Sequence, residues 1–247
     1  MDFCNKTAIV SGAASGMGLL TAQKLAEQGA YVVLTDVNIM AAEKAAEDIR
    51  KNGGQAEACQ VDVRHYDEVK SVIENTIHQR GQIDILVNCA GGYSARVFGL
   101  KETFKDLDIS IIDWGIDVNL KGPVYFAHAA IGHMMEKKSG VIINLGSIEG
   151  QTGSFAIDYC TAKSGIMHGF TKSLALYGAP HQVRVCCVSP GPVLTRPAMA
   201  NMKTALGRAA EPREVVDLIL YLCSDQAAFI TGTNYLIDGG RSCGARD

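Results

Sequence analysis

Residues 11–18 read Ser11-Gly12-Ala13-Ala14-Ser15-Gly16-Met17-Gly18, and their setting decides the fold class. A short apolar run, Thr7 to Val10, precedes them, and a helix-like segment, Met17 to Gln28, follows. The first turn of a helix leaves backbone N–H groups unpaired and carries partial positive charge, so strand, glycine turn and helix together present an anion site. Glycines at 12, 16 and 18 keep side chains out of the turn and let a pyrophosphate approach the backbone. The spacing is Gly-x-x-x-Gly-x-Gly, not Gly-x-Gly-x-x-Gly, so the glycines alone equally suit a plain small-residue turn.

The rest of the chain argues for the nucleotide reading. Ala30 to Thr35 is a second apolar run, and it ends in Asp36, eighteen residues after Gly18. A carboxylate there accepts hydrogen bonds from adenosine ribose hydroxyls and repels a 2′-phosphate. Ser15, Val37 and Asn38 supply no basic group to reverse that preference, so the sequence predicts NAD(H) over NADP(H). The same aspartate also suits a cap for the helix beginning near Asn38. Beyond it the alternation continues. Helices are predicted at Ile39–Asn52, Tyr66–Arg80, Ser110–Lys137, Phe155–Tyr177 and Pro212–Cys223. Strands are predicted at Gln55–Val61, Ile83–Val87, Gly140–Leu145, Val183–Val188 and Asn234–Ile237. This pattern predicts an α/β fold with one doubly wound parallel sheet of about seven strands and helices on both faces. Near-continuous apolar strands such as Ile83–Val87 fit burial on both sides.

Composition excludes several function classes. The chain has 247 residues, 47% of them apolar, with no repeat, low-complexity stretch or linker, which predicts one domain over 1–247. A net charge of −3 offers no basic face for nucleic acid or an anionic membrane. No charge-free apolar segment is long enough to span a bilayer, and the start, Met-Asp-Phe-Cys-Asn-Lys, does not read as a secretion signal. Eight cysteines without a Cys-x-x-Cys pair suit reduced thiols in a cytoplasmic protein. The six histidines show no metal-ligand spacing, so no metal site is expected.

In open parallel sheets ligands bind at the carboxyl ends of the strands, where this chain carries Gly12–Gly18, Asp36, Asp62, Asn88–Gly92, Ser147 and Pro190–Thr195. Ser147 follows the fifth predicted strand, and Tyr159 and Lys163, four apart, share one face of the next helix. A tyrosine keeps its proton to about pH 10, and a neighbouring ammonium favours the phenolate, bringing it towards the range where general acid–base catalysis works. Tyr-x-x-x-Lys is also a common surface pair on any helix.

The glycine spacing from Gly12, Asn88-Cys89-Ala90-Gly91, Asn119, Ser147, Tyr159-Cys160-Thr161-Ala162-Lys163 and Pro190-Gly191-Pro192 stand in the order expected of the short-chain dehydrogenase/reductase family. The chain resembles the single-domain, Rossmann-type form of that family over essentially its whole length. The resemblance implies Tyr159 as general acid/base, Ser147 orienting the substrate oxygen, and Lys163 lowering the Tyr159 pKa and bonding the nicotinamide ribose. It implies that Asn119 holds a helix irregularity and a proton-relaying water. Gly12, Ser15, Gly16, Met17, Gly18 and Asp36 would hold the coenzyme's diphosphate and ribose. Asp62 and Val63 would border adenine, and Asn88, Ala90 and Gly91 would line the adenosine side. Pro190, Gly191, Val193 and Thr195 would cradle the nicotinamide. A homotetramer, or homodimer, is implied as well. Two departures from the family pattern are small: Ser11 replaces threonine and keeps a hydroxyl, and Cys89 replaces an asparagine, with an expected loosening of one strand-to-strand hydrogen bond. The segment from Gly92 to the long helix is longer than usual and that after Thr195 shorter, which weakens analogy for the substrate and leaves the reaction class intact.

Around the expected pocket stand Tyr93, Arg96, Ile148, Glu149, Phe155, Val193, Arg196 and Met199. Arg96 and Arg196 suit either a substrate carboxylate or phosphate, or solvated loop positions. The long helices are apolar on more than one face (Val124, Phe126, Ala129, Ile131; Ile157, Ile166, Phe170, Leu174), which predicts burial against another subunit. The expected reaction is NAD(H)-dependent interconversion of a small secondary alcohol and its ketone, on a hydroxysteroid, polyol or sugar-type substrate. A 3-oxoacyl thioester reductase and a non-catalytic nucleotide-binding scaffold are the alternatives.

Overall fold

The computed structural model describes residues 1–244, so residues 245–247 of the predicted domain lie outside the described residues. Seven strands form one sheet: β1 (Thr7–Ser11), β2 (Tyr31–Asp36), β3 (Gln55–Gln60), β4 (Ile85–Asn88), β5 (Gly140–Leu145), β6 (Val183–Pro190) and β7 (Asn234–Ile237). Their order is β3-β2-β1-β4-β5-β6-β7, and every pairing is parallel. The strand order reverses between β1 and β4, and that crevice is where ligands bind in such sheets. Successive residues of each central strand feed opposite faces. Ala8 and Val10 join one core cluster and Ile9 the other, as do Val141 and Ile143 against Ile142. Burial on both faces is what a parallel sheet between two helical layers requires.

The helices are α1 (Gly16–Glu27), α2 (Ile39–Lys51), α3 (Tyr66–Arg80), α4 (Ser94–Val97), α5 (Ile109–Ile116), α6 (Gly122–Glu136), α7 (Glu149–Thr152), α8 (Ile157–Ser164), α9 (Thr171–Gly178) and α10 (Pro212–Cys223). Local chemistry sets their ends. The Asn38 side chain accepts from Ala41 N at 3.2 Å to start α2, so Asn38 rather than Asp36 is the cap there. Glu211 and Glu214 form a reciprocal capping box at α10, with Pro212 at its first position.

Each of the two long helices predicted as one α-helix contains a wider turn. Residues Asp117–Lys121 are a π-helix between α5 and α6, and Gly165–Phe170 are another between α8 and α9. Such turns insert one residue into the ladder and concentrate at functional sites. Several residues expected on an outward helix face are core instead: Phe126, Ile131 and Ile166 are buried. Val124, Phe170 and Leu174 are half-buried, and the exposed apolar side chains of the second helix are Ile157, Leu176 and Tyr177. Among the described residues no helix is long and apolar enough to cross a membrane.

Candidate active site

The glycine turn sits at the carboxyl end of β1, over the reversal of strand order. A Cβ on Gly12 would lie 2.7 Å from Ala90 N and Cα, so glycine lets the turn pack on the end of β4. Gly18 has the Gly12 carbonyl where a Cβ would go. Gly16 differs: its φ of +57° is left-handed, and nothing lies within 4 Å of where its Cβ would point. Ser15 precedes α1 without a side-chain cap, leaving that helix's first amides unpaired beside the open space at Gly16. Asn88 adds an orphaned acceptor: its Oδ1 is buried without a partner. Open space, free amides and an unused acceptor at the strand ends fit a dinucleotide with its diphosphate on the turn.

Asp36 binds the turn to the end of β2, its two carboxylate oxygens accepting from Ala14 N at 3.0 Å and Asn38 N at 2.9 Å. Asp62 lies just past β3 and holds the Arg64 guanidinium, a partner that keeps its carboxyl below the usual range. Val63 is buried against Gly122 at the start of α6. Beside Cys89, Asn88 links β4 to β5, its Nδ2 donating to Asn144 Oδ1 at 2.9 Å. Asn144 passes the chain of bonds on to the Thr171 hydroxyl.

Asn119 is fully buried at the middle of the π turn 117–121. Its Oδ1 accepts from Gly92 N, and its Nδ2 donates to both Gly92 O and Gly115 O. The side-chain amide thus replaces ladder bonds that the wide turn gives up and fastens it to the segment after β4. Gly91 makes that approach possible, because a Cβ there would lie 2.6 Å from Asn119 Oδ1 and 3.3 Å from Lys163 Nζ.

Ser147 follows β5 and is buried, its hydroxyl accepting from Glu149 N at 3.2 Å. Ile148 N donates to Pro190 O at 3.0 Å, which draws the turn after β5 against the turn after β6. Gly191 is held in turn by a bond from its N to Ile237 O. Val193 is buried and bridges to Ala210, and the Thr195 amide donates to Val193 O at 2.6 Å.

Tyr159 and Lys163 stand on α8 behind Ser147. The phenol's pKa is pushed up, first by burial, while the Ser147 hydroxyl within hydrogen-bonding reach works in the opposite direction. Glu149 adds to the rise and Arg96 opposes it. The expected lowering by an adjacent ammonium is therefore not what the structure displays. Lys163 Nζ lies 5.7 Å from the Tyr159 ring centre and donates to Leu145 O at 2.7 Å. Burial drops the Lys163 pKa to about 8, because a charge away from water is disfavoured.

The structure brings Asn119, Ser147, Tyr159 and Lys163 to one place, with Tyr93, Arg96, Glu149 and Arg196 around them. Phe155 is a correction to the expected pocket: its ring is 99% exposed, because the turn before α8 points it outward. Two residues that the pattern did not flag matter here. Asp158 is buried beside the reactive-looking tyrosine and accepts from the Ser94 hydroxyl at 2.5 Å, which pins α4 to α8. Among the described residues no three His, Cys, Asp or Glu side chains gather as metal ligands.

The profile of a family described as Enoyl-(Acyl carrier protein) reductase matches residues 12–242. Cyclohexanol dehydrogenase of Acinetobacter sp. (strain SE19) is 34% identical over 96% of this chain and 95% of its own length. Trans-4-hydroxycyclohexanecarboxylate dehydrogenase of Sinomonas cyclohexanicum is 36% identical over 97% of this chain and 93% of its own. A crystal structure of a short-chain type dehydrogenase/reductase from Mycobacterium marinum superposes with a TM-score of 0.90 at 33% identity, covering 98% of this chain and 97% of that one. The chain is an oxidoreductase and belongs to the short-chain dehydrogenase/reductase family.

Proposed function

We propose that the chain is a single-domain, cytoplasmic, NAD(H)-dependent dehydrogenase that interconverts a small secondary alcohol and its ketone. The observation that carries this reading is the meeting of Ser147 and Tyr159 beside the switch point, with Lys163 and Asn119 behind them. When bound, the nicotinamide coenzyme supplies the acceptor or donor of hydride. The Ser147 hydroxyl holds the substrate oxygen with its proton towards Tyr159 Oη. Tyr159 takes that proton in oxidation and returns it in reduction, a step worth about 10²–10⁴ in rate. Lys163 and Asn119 both crowd the Gly91 position, and Asn119 fastens the π turn to Gly92. Gly12, Ser15, Gly16, Met17 and Gly18 hold the diphosphate. Asp62 and Val63 border the adenine, and Asn88, Ala90 and Gly91 its ribose side. Pro190, Gly191, Val193 and Thr195 cradle the nicotinamide. The similarity to dehydrogenases named for cyclohexanol and a hydroxycyclohexanecarboxylate supports alicyclic secondary alcohols, and that to a meso-2,3-butanediol dehydrogenase of Serratia marcescens supports acyclic ones. The family description favours an acyl-carrier thioester as the second reading. Spectroscopic NADH formation over a panel of alicyclic alcohols, polyols, steroids and hydroxyacyl thioesters tests both. Turnover confined to the thioesters overturns the first.

Asp36 carries the coenzyme choice. Placing a 2′-phosphate beside its carboxylate juxtaposes like charges, which costs several kcal/mol. Asp36→Ala is expected to cut the preference for NAD⁺ over NADP⁺ about tenfold or more. The ratio of the two dissociation constants is the readout, because losing the bonds to Ala14 and Asn38 loosens the turn for both coenzymes alike. A wild type that binds NADP⁺ more tightly contradicts the assignment. Assembly as a homotetramer, or homodimer, is supported by apolar side chains left in water, including Phe155, Leu176, Tyr177 and Phe229. The eight cysteines, all unpaired, support a reducing compartment.

A further inference from the structure

Two arginines from separate segments, one after β4 and one after β6, act on the surroundings of Tyr159. Arg96 belongs to α4, which the buried Ser94–Asp158 bond fixes to the residue immediately before Tyr159. Its Nη2 lies 3.5 Å from where a Cβ on Gly92 would be, next to the Gly91 position that faces Lys163. Arg196 leaves the turn after β6, half-buried, with Nη2 donating to Met199 Sδ at 3.5 Å. Among the described residues neither guanidinium is in an ion pair with a carboxylate, although arginine is the side chain best shaped for one. Burial first, and then the like charge of Arg96, push the Arg196 pKa below its ordinary value.

The other charged group facing them is Glu149 on α7, two residues after Ser147. It is half-buried, which pushes its carboxyl pKa up, and Arg96, Arg196 and Arg241 pull against that without an ion pair to either of the first two. Arg241 is engaged elsewhere, donating to Lys203 O at 2.6 Å. Arg96, Arg196 and the Lys163 ammonium, against the carboxylates of Glu149 and Asp158, leave one positive charge around the phenol. A group with one negative charge and two coplanar oxygens balances that charge and matches the guanidinium fork.

We propose that the alcohol oxidised here carries a carboxylate, held by Arg96 and Arg196 on the side of the ring away from the carbon presented to Ser147 and Tyr159. The inference rests on the dehydrogenase reading above and narrows it to hydroxy acids. Asp158 and Ser94 are then positioning residues, since they set where Arg96 stands relative to Tyr159.

The test compares cyclohexanol with 4-hydroxycyclohexanecarboxylate at saturating NAD⁺ and takes the ratio of their kcat/KM values. The ratio is used because Arg96 also acts on the Tyr159 phenol, so the neutral substrate is affected too. Wild type is expected to favour the acid by about 10–100-fold, the worth of a charge-assisted pair. Arg96→Gln and Arg196→Gln each lower the ratio about tenfold, and Arg196→Lys restores part of it. Cyclohexanecarboxylate, with no hydroxyl to oxidise, competes with cyclohexanol, and less so as salt is raised; cyclohexanecarboxamide does not compete. Brisk turnover of cyclohexanol with a wild-type ratio near one overturns the inference and leaves the dehydrogenase standing. NADH affinity, followed by fluorescence, that falls in step with the ratio in the glutamine variants assigns the arginines to the coenzyme diphosphate and also overturns it. NADH production from neither compound, nor from the wider panel, defeats the dehydrogenase reading itself.

Discussion

Tyr159→Phe is expected to lower alcohol oxidation by about 10²–10⁴-fold, the usual contribution of a positioned acid–base group. The substitution removes one oxygen and keeps the ring, so the packing of α8 against α5 and α7 and the bond from Lys163 to Leu145 survive. Coenzyme binding, which depends on the glycine turn at the other side of the switch point, falls far less than turnover. The pH dependence separates loss of the proton acceptor from a general loss of shape. Burial holds the wild-type phenol above its ordinary pKa of 10.0, with Ser147 and Arg96 pulling against it. Oxidation needs the phenol without its proton, so wild-type activity climbs as pH rises. The residual activity of Tyr159→Phe lacks that climb. Steady-state NADH formation across pH, with thermal unfolding as the control for folding, checks both statements. A variant within about threefold of wild type removes Tyr159 from the chemistry.

The fold was open to reading because its signals are local. The glycine turn between an apolar run and a helix, the acidic end of β2, and apolar strands fed from both faces each show within about ten residues of sequence. The site was half open for the same reason. Tyr159 and Lys163 share a face by helical spacing, and Ser147 stands at a strand end. What stayed hidden depends on contacts between distant segments. Helical periodicity runs without a break through 117–121, so only the family resemblance pointed to an irregularity at Asn119, whose bonds to Gly92 and Gly115 hold the π turn. Asp158 meets Ser94 across 64 residues, and no spacing rule links them. The partner of Lys163 is the Leu145 main-chain carbonyl, which every residue type offers, so its position left no mark in the sequence. Phe155 misled by nearness: it precedes Tyr159 by four residues, but the turn before α8 points it to solvent.

Lys163→Met is expected to make the protein more stable while disabling it. The ammonium is 3% exposed, and burial drops its pKa from 10.5 to about 8. That difference corresponds to about 3 kcal/mol of cost for keeping the charge inside the folded chain. Methionine fills similar space without a charge, but Leu145 O loses its donor, worth about 1 kcal/mol. A net gain of about 1–2 kcal/mol at pH 7 remains, or a rise in Tm of about 2–8 °C for a chain of this size. The direction with pH follows from which state holds the proton. Between pH 8 and 10.5 the unfolded lysine is charged while the folded one has released its proton, so the unfolded state binds more protons and wild-type stability climbs with pH. Below pH 8 both states are charged and the cost is fully present. The advantage of Lys163→Met is therefore largest at neutral pH and fades by pH 10.5. Calorimetric unfolding of both proteins at pH 7 and near pH 10 checks the trend. Turnover is expected to fall about as far as in Tyr159→Phe, since a buried charge kept at this cost is retained for what it does to bound substrate and coenzyme. A variant that melts below wild type at pH 7 shows instead that the ammonium's bond to Leu145 outweighs its desolvation, and the charge is then structural.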